Sequence, residues 1–461
     1  MQKVFSPFNN EVVGEIPVLN ASELEAAKNE ALSFFTDHNK RLGKDQILSI
    51  LEKAVKICQD EREELIKLAA SEGGKPYKDS AVEIDRGIDG IKIAIATLRS
   101  MHGTEIPMGI NASSKNKLAF TTKEPLGLVL SISAFNHPFN LAVHQVIPAI
   151  AVGAPVLIKP ATATPLSAFR LVDILERSGL PKGFAKAFLA PREAMNALIS
   201  SQDIAYLSFI GSAEVGFDLQ KQLPAGARAA LEHGGLAPVI VDKGEDVKAL
   251  STVLAKGGFY HSGQVCVSVQ RIYAHKSLAK ELATELANEA QKLVVGDPLN
   301  PSTDLGPLID PNEITRIDAL VKDALNNGAN ALCGAKSLPN NCYAPTVLLN
   351  PSEKARISHE EVFGPVICIY EYEDINEAIN KANSLPVVFQ SSIFSSNIDT
   401  CMYAARRLHA TAVMINESTT FRVDWMPFGG QKRSGLGLGG INYSMQDMVN
   451  EKLIVIKSKG L

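Results

Sequence analysis

The sequence predicts an α/β fold built around a parallel sheet, and three features of its pattern support this. Residues 127–132, 155–159 and 205–210 are short apolar runs with the length of buried strands. Stretches with helical spacing of apolar residues separate these runs, such as 138–151. Connections of this kind place helices on both faces of a parallel sheet. Because such sheets bind ligands at the carboxyl ends of their strands, the turns after these runs are candidate site segments.

The N-terminal elements follow from the same reasoning. Residues 21–36 and 45–70 carry apolar residues at helical spacing and predict a helical region. Residues 103–125 are polar between two more apolar arms, which predicts a projecting hairpin. Thr164 is expected to cap a helix that runs to Ser178.

A second alternating region extends from about residue 236 to residue 413. It contains apolar runs at 239–241 and 366–370 with a helical stretch at 278–293 between them. Residues 452–456 predict a final strand that could pair with another chain. Since single cores rarely exceed ~250–300 residues, a chain of 461 residues is expected to form more than one domain.

The composition is that of an ordinary globular protein. Its 46 Lys and Arg residues against 50 Asp and Glu residues give a formal net charge of -4, which provides no basic footprint for nucleic acid. No apolar stretch reaches the roughly 18 residues of a membrane span, and the first residues lack the apolar core of a signal peptide. The six cysteines are scattered without a CxxC pair, so neither disulfides nor a metal site is expected, and a cytoplasmic setting fits best.

Several turns carry residues suited to chemistry. Cys266 follows a glycine-containing turn, where a thiolate can act as a nucleophile, although a buried structural cysteine is the ordinary alternative. Glu232, in a segment with two following glycines, could swing as a general base, or could be a solvated glutamate at a helix end. Asn136 can donate its amide to an oxyanion or cap the next helix. Gly211 and Ser212 offer backbone amides to a pyrophosphate at a helix N-terminus.

In combination these segments resemble the aldehyde dehydrogenase superfamily along essentially the whole chain. The matching motifs are, in chain order, Asn136, Lys159-Pro160, 209–216, 232–235, 263–266, 361–365 and 427–430. The resemblance implies an aldehyde dehydrogenase-like α/β fold in three parts, assembled as a homodimer or homotetramer. These parts are a Rossmann-like coenzyme domain at 1–103 and 124–235, an α/β catalytic domain at 236–440, and a β oligomerisation element at 104–123 and 441–461.

Carried over residue by residue, the resemblance implies that NAD or NADP oxidises a small-molecule aldehyde to a carboxylic acid. Cys266 looks like the nucleophile that forms a thiohemiacetal and then a thioester. Asn136 looks like the oxyanion donor, and Glu232 looks like the base for thioester hydrolysis. The implied coenzyme contacts are Lys159 and Thr162 at the adenosine ribose, Gly211 and Ser212 at the pyrophosphate, and Glu361 and Phe363 at the nicotinamide ribose.

The chain departs from the family pattern at three places. Ala134-Phe135 replaces the usual Pro-Trp, still apolar and aromatic, so little change is expected. Thr162 stands where many NAD-preferring members carry a glutamate that repels a 2′-phosphate, so NADP is expected to be at least tolerated. Failure with NADP where NAD supports turnover would contradict this. Leu438-Gly439 replaces the usual Arg-Glu, so Glu232 is expected to act without a second acid.

Clues to the substrate lie beside Cys266 and in one later loop. Val265 replaces the arginine of relatives that resemble non-phosphorylating glyceraldehyde-3-phosphate dehydrogenases, which argues against their phosphate-binding geometry, and Val267 is also apolar. Arg422 lies on a loop that borders the substrate tunnel in relatives, and it could hold a carboxylate, sulfonate, phosphonate or hydroxyl group. A structural pairing with Asp424 is an equal alternative. A small polar or anionic aldehyde of the lactaldehyde or semialdehyde type is therefore expected.

Two other functions stay open at this point. A CoA-acylating aldehyde dehydrogenase would pass the thioester to CoA and often lacks the hydrolytic glutamate, whereas Glu232 is present. A catalytically inactive structural relative would be expected to lose Cys266, Asn136 or Glu232, and all three are present. The products formed with and without CoA distinguish the first alternative, and turnover of an aldehyde panel distinguishes the second.

Overall fold

The computed structural model describes residues 1–460, and Leu461, the last residue of the predicted 441–461 segment, lies outside them. The helices are α1 Ala21–Thr36, α2 Lys44–Asp60, α3 Arg62–Gly73, α4 Tyr77–Ser100, α5 Pro138–Val152, α6 Leu166–Arg177, α7 Arg192–Ile199, α8 Ala213–Gln222, α9 Val247–Phe259, α10 Ala279–Lys292, α11 Pro311–Asn326, α12 Ile375–Ala382, α13 Ile398–Ala405 and α14 Ile441–Asp447. Within residues 1–460 no helix combines the length and the apolar character needed to cross a membrane.

The strands follow the same order along the chain. They are β1 Gln2–Phe5, β2 Val12–Ile16, β3 Glu105–Ile106, β4 Lys117–Pro125, β5 Leu128–Ile132, β6 Val156–Lys159, β7 Ala185–Ala187, β8 Ile204–Ile210, β9 Arg228–Glu232, β10 Pro238–Val241, β11 Arg271–His275, β12 Asn330–Cys333, β13 Thr346–Leu349, β14 Val366–Tyr372, β15 Val387–Val388, β16 Gln390–Phe394, β17 Ala412–Ile415, β18 Gln431–Lys432, β19 Gly435–Leu436 and β20 Val449–Lys457. The predicted apolar runs all form strands, and the predicted helical stretches form α1, α2, α3, α5 and α10.

A six-stranded sheet in the order β19-β9-β8-β5-β6-β7 holds the first alternating region. β5 to β9 run parallel, as predicted, and only β19 at the edge is antiparallel. β6 and β7 lie on one side of β5, whereas β8 and β9 lie on the other. The order in which strands are added to the sheet therefore reverses at β5, and doubly wound sheets bind ligands at such a switch point.

A seven-stranded sheet in the order β12-β13-β14-β11-β10-β16-β17 holds the second region. Its strands are parallel except β12. Helices cover both faces, because Val239 and Val241 pack with α9 and α10 while Ile240 packs with α11, α12 and α13. A strand buried on both faces in this way reads as an uninterrupted apolar run, which explains why the sequence identifies it.

The projecting segment and the end of the chain form a three-stranded sheet in the order β20-β4-β3. β3 and β4 give the predicted hairpin. β20 pairs antiparallel with β4, from Val449 opposite Pro125 to Lys457 opposite Lys117. The predicted last strand thus finds its partner in its own chain, and it forms one edge of this sheet.

The prediction for the start of α6 is wrong. α6 begins at Leu166, and the Thr164 hydroxyl donates to the Phe135 carbonyl instead of capping the helix. The cap comes from Glu72 on α3, whose buried carboxylate accepts from the Leu166 and Ser167 amides at 2.7 and 2.9 Å. Sequence spacing gives no sign of this cap, because Glu72 lies 94 residues before Leu166.

Glu83 on α4 has the same role for α5. Its Oε1 accepts from the Phe139 and Asn140 amides at 2.9 and 3.0 Å, and its Oε2 is paired with the fully buried Lys75 ammonium. A negative charge at a helix N-terminus is favourable. Since α5 begins two residues after Asn136, the Glu83–Lys75 pair fixes the backbone next to a candidate site residue.

Replacing Glu83 with alanine should lower the free energy of unfolding by about 3–5 kcal/mol, because it leaves a buried ammonium without its partner. Chemical denaturation followed by circular dichroism measures this loss. Glu64→Ala is the matched control, since Glu64 pairs with Arg170 at an exposed position and such pairs contribute about 0–1 kcal/mol. A Glu83→Ala loss no larger than the control would contradict the assignment.

Candidate active site

A cavity of about 610 Å³ lies at the carboxyl edge of the six-stranded sheet. Ten of the residues singled out from the sequence line it, namely Asn136, Gly211, Ser212, Glu232, Val265, Cys266, Val267, Glu361, Phe363 and Arg422. Lys159 and Thr162 are not among its walls, although Ala161 is. Segments far apart in the chain therefore meet at one cavity.

Cys266 lies on a turn that follows three consecutive left-handed residues. His261, Ser262 and Gly263 have φ angles of 48°, 53° and 71°. This region costs a residue other than glycine roughly 1–2 kcal/mol, so surrounding contacts must hold it. The His261 amide donates to Asp79 at 3.1 Å, and the Ser262 hydroxyl donates to a backbone carbonyl at 2.7 Å. The segment that leads to Cys266 is thus held by hydrogen bonds at both His261 and Ser262.

Asn136 follows β5 and is tied to the same turn. Its Nδ2 donates to the carbonyl of Gln264, two residues before Cys266, at 2.9 Å. The Gln264 side chain in turn accepts from the Ile309 amide at 3.0 Å. Asn136 does not cap α5, whose first position is preceded by His137 without a side-chain bond. Because a side-chain amide carries two N–H groups, one remains for an incoming oxygen.

The Cys266 thiol is protonated at neutral pH. Burial is the main cause that raises its pKa to about 12; the neighbouring carboxyls of Glu361 and Glu232 contribute to this rise, and Arg422 opposes it. Burial thus outweighs the cation that favours a thiolate. Attack by this sulfur requires a group that accepts its proton.

Glu232 is the last residue of β9, not of a helix. Burial raises the pKa of its carboxyl to about 7, and the nearby Arg422 guanidinium acts in the opposite direction. A carboxyl with this pKa exchanges protons readily at neutral pH, which suits a general base.

Glu361 and Phe363 lie on the loop before β14. Burial also raises the pKa of the Glu361 carboxyl to about 7. Its Oε1 accepts from the Gly235 amide at 3.2 Å. The Phe363 ring packs edge-on against Phe135, with 5.8 Å between the ring centroids. The loop is therefore anchored to the same strand ends that carry Asn136 and Glu232.

Gly211 and Ser212 connect β8 to α8, and the sequence-based placement at a helix N-terminus is confirmed. Ser212 makes no side-chain cap, so the first-turn amides stay available to a ligand. Lys159 ends β6, where its ammonium donates to the Pro160 carbonyl at 3.2 Å and burial lowers its pKa. Thr162 is exposed just beyond it.

The structure contains features of both interpretations of Arg422. The Asp424 carboxylate accepts hydrogen bonds from Nη2 and Nε of Arg86 at 2.6 and 3.0 Å. It is also hydrogen-bonded to Nε2 of His144 at 2.8 Å. Arg422 lies farther away, with its Nε 3.6 Å from Asp424. Its guanidinium lies 3.5 Å from the Phe428 ring centroid, and its Nη1 is buried without a partner. A cavity-lining cation with an unused donor suits an anionic ligand better than a purely structural role.

Sequence reasoning missed Arg86 and His144, which also line the cavity. They lie 338 and 280 residues from Asp424 along the chain. No spacing rule connects positions so far apart, and the only sign in the sequence was a histidine on the largely apolar α5.

Fold and cavity together define a class of enzyme, in which the strand ends of a doubly wound sheet face a turn that carries a cysteine. The chain matches the description "Aldehyde dehydrogenase family" over residues 1–454. A 3-sulfolactaldehyde dehydrogenase from Priestia aryabhattai is 32% identical over 459 residues, which cover 98% of this chain and 94% of that protein.

Solved structures agree with this match. Aldehyde dehydrogenase 21 from Physcomitrella patens, in complex with the reaction product succinate, has a TM-score of 0.95 at 32% identity and covers 100% of this chain and 95% of its own. A glyceraldehyde-3-phosphate dehydrogenase from Methanocaldococcus jannaschii, complexed with NADP, has a TM-score of 0.94 at 33% identity and covers 99% of both chains.

The chain belongs to the aldehyde dehydrogenase family. This confirms the predicted fold, the enzyme class and the use of NAD(P). The residue roles stay predictions.

Because the pKa of the Cys266 thiol is raised, we expect its reactivity in the coenzyme-free protein to depend strongly on pH. Alkylation of Cys266 by iodoacetamide should accelerate about tenfold per pH unit between pH 7 and 9, because the thiolate is the reactive form. Peptide mass spectrometry measures the rate at this position, and Cys266→Ser gives the background. A rate that levels off below pH 9 would contradict the buried, protonated thiol.

Proposed function

We propose that this chain oxidises a small anionic aldehyde to its carboxylic acid through a covalent adduct on Cys266. The observation that carries this proposal is the shared cavity: Cys266, Asn136 and Glu232 all line it, and the Asn136 amide is bonded to the turn of Cys266. A nucleophile, an oxyanion donor and a base are the groups that acyl chemistry needs.

In the first half of the proposed reaction, Glu232 takes the thiol proton as the Cys266 sulfur attacks the aldehyde carbon. The free N–H of Asn136 donates to the resulting alkoxide, and one such donor contributes about 2.7–4 kcal/mol. The nicotinamide, when bound, supplies the acceptor for the hydride, and a thioester on Cys266 results.

Before the second half, Glu232 releases the thiol proton to solvent, and its carboxylate then takes a proton from the water that attacks the thioester carbon. The carbon–sulfur bond breaks, the carboxylic acid leaves, and Cys266 regains its proton. Covalent capture therefore divides the oxidation into two easier steps. Transfer to CoA instead of water is less well supported, since it does not need the buried base at 232.

The cavity walls fit a dinucleotide. The first-turn amides of α8 suit a pyrophosphate at Gly211 and Ser212, and the Glu361 carboxyl suits a ribose. Lys159 would lie at the other ribose. We accordingly assign coenzyme binding to 1–103 with 124–235, and carbonyl chemistry to 236–440.

The substrate class rests on Arg422. Its buried, unpartnered Nη1 lines the cavity that also holds Cys266, so a carboxylate or sulfonate on the aldehyde would satisfy it. Two of the similar proteins agree in chemistry, since one is named for 3-sulfolactaldehyde and the other holds succinate.

Assembly into a homodimer or homotetramer is part of the proposal. β20 is an edge strand and exposes Leu453, Val455 and Ile456. Exposed apolar edges of this kind favour pairing with another copy, which assigns 104–123 and 441–461 to assembly. Sedimentation as a monomer would contradict this.

Glu232→Gln should slow hydrolysis of the thioester more than its formation. A burst of reduced nicotinamide equal to the enzyme concentration should then precede a steady-state rate about 10²–10⁴-fold below that of the unchanged protein. Stopped-flow absorbance measures both phases. Cys266→Ala is the control and should show neither phase. An unchanged steady-state rate in Glu232→Gln would contradict the role of the base.

Arg422→Met should lower kcat/KM for a carboxylate-bearing aldehyde about 10–100-fold, because a charged hydrogen bond contributes about 1.5–3 kcal/mol. A neutral aldehyde of similar length is the internal control. Its kcat/KM reports any change in the pKa of Glu232 that follows from losing the positive charge of Arg422. The ratio of the two kcat/KM values is the measured quantity. Equal losses for both aldehydes would assign Arg422 a structural role.

A further inference from the structure

The Glu232 carboxyl rests against a glycine from a distant part of the chain. Glu232 ends β9, and Gly439 lies three residues after β19. A Cβ atom added to Gly439 would overlap Oε1 of Glu232 and lie 3.0 Å from its Cδ. The carboxyl therefore fills the volume that any side chain at position 439 would need.

The two backbones have little freedom to separate. Glu232 pairs with Gly435 in the β9–β19 ladder. Gly439 pairs with Phe428, whose amide donates to the Gly439 carbonyl at 3.1 Å. The added Cβ would also lie 3.0 Å from the Phe428 carbonyl oxygen. Since both segments are held by backbone hydrogen bonds, the side chain of Glu232 is the part that would have to move.

The contact with Gly439 is steric. The Glu361 carboxyl lies against Gly234 in a similar way, but it also accepts from the Gly235 amide. No side-chain or backbone hydrogen bond contributes to the pKa shift of Glu232. The absence of a side chain at 439 is therefore what gives this carboxyl its place.

We propose that Gly439 is a positioning residue for Glu232: the missing side chain creates a seat from which the carboxyl acts on the thioester. We call this volume, bounded by Gly439 and Phe428, the Gly439 seat. A side chain at 439 would push the carboxyl towards the centre of the cavity, where water reaches it more easily. The charged and titratable groups near it are Arg422, Cys266 and Tyr206. A more hydrated carboxylate is a weaker base.

A double-mutant cycle on stability tests the seat without reference to catalysis. Gly439→Ala should lower the melting temperature when Glu232 is present, and it should do so clearly less in a Glu232→Ala background. If Gly439→Ala alone does not fold, recovery of folding in the double variant is the expected result. Equal losses in both backgrounds, or failure of the double variant to fold, would overturn the proposal.

Kinetics test the positioning role, which rests on the proposed function of Glu232. In Gly439→Ala, thioester hydrolysis should slow about tenfold, a part of the roughly 10²–10⁴ that a general base contributes. The rise of the hydrolysis rate with pH should shift to lower pH, because water stabilises the displaced carboxylate and lowers the pKa of Glu232. The coenzyme dissociation constant should stay unchanged.

Leu438→Ala is the matched control, since Leu438 is an exposed neighbour on the same loop. It should leave the hydrolysis rate and its pH profile as they are. If Glu232→Gln slows hydrolysis but Gly439→Ala leaves both rate and profile unchanged, the positioning role is wrong and the function of Glu232 stands. If neither variant changes hydrolysis, the proposed function of Glu232 fails first and the positioning role fails with it.

Discussion

The hydrogen bond from the Asn136 amide to the Gln264 carbonyl is the contact on which the site depends. It joins a loop after the central strand of one sheet to the turn that carries the thiol, across 128 residues of chain. The turn follows two left-handed residues other than glycine, His261 and Ser262, which surrounding contacts must hold. With this bond in place, Asn136 and Cys266 line the same cavity, and Glu232 lines it from the end of β9, two strands from β5 in the sheet.

Burial sets the electrostatic character of the cavity. The thiol of Cys266 and the carboxyls of Glu232 and Glu361 all have pKa values raised by desolvation. At neutral pH the two carboxyls are therefore only partly ionised, while Arg422 supplies a largely buried positive charge. This charge balance is the reason for proposing an anionic substrate, whose charged group would supply the hydrogen-bond partner that Nη1 of Arg422 lacks.

The sequence predicts the fold and ten of the residues that line the cavity because each of these signals is local. Buried parallel strands such as β5 and β10 are continuous apolar runs, and the glycine-containing turns mark where strands end. Contacts between residues far apart along the chain leave no such pattern in the sequence. The capping of α6 by Glu72 displaced the expected Thr164 cap, and the binding of Asp424 by Arg86 could not be seen in any spacing.

The same reason limits what the sequence says about the chemistry of Gly439 and Arg422. The sequence draws attention to position 439 only because Gly439 replaces the glutamate that many family members carry there. Its contact with Glu232 depends on the pairing of β19 with β9, which the sequence does not reveal. Arg422 lies two residues from Asp424, which suggested a local ion pair. The fold keeps this ion pair at 3.6 Å, gives Asp424 two closer partners in Arg86 and His144, and leaves Nη1 of Arg422 without a partner.

The central claim is that Cys266 carries the substrate carbonyl during turnover. Rapid acid quenching of the unchanged protein with coenzyme and isotope-labelled succinic semialdehyde, followed by peptide mass spectrometry, tests it most directly. We expect the peptide that contains Cys266 to gain the mass of the labelled acyl group, with the label on sulfur. Turnover without any labelled peptide, or with the label on another residue, would contradict the account.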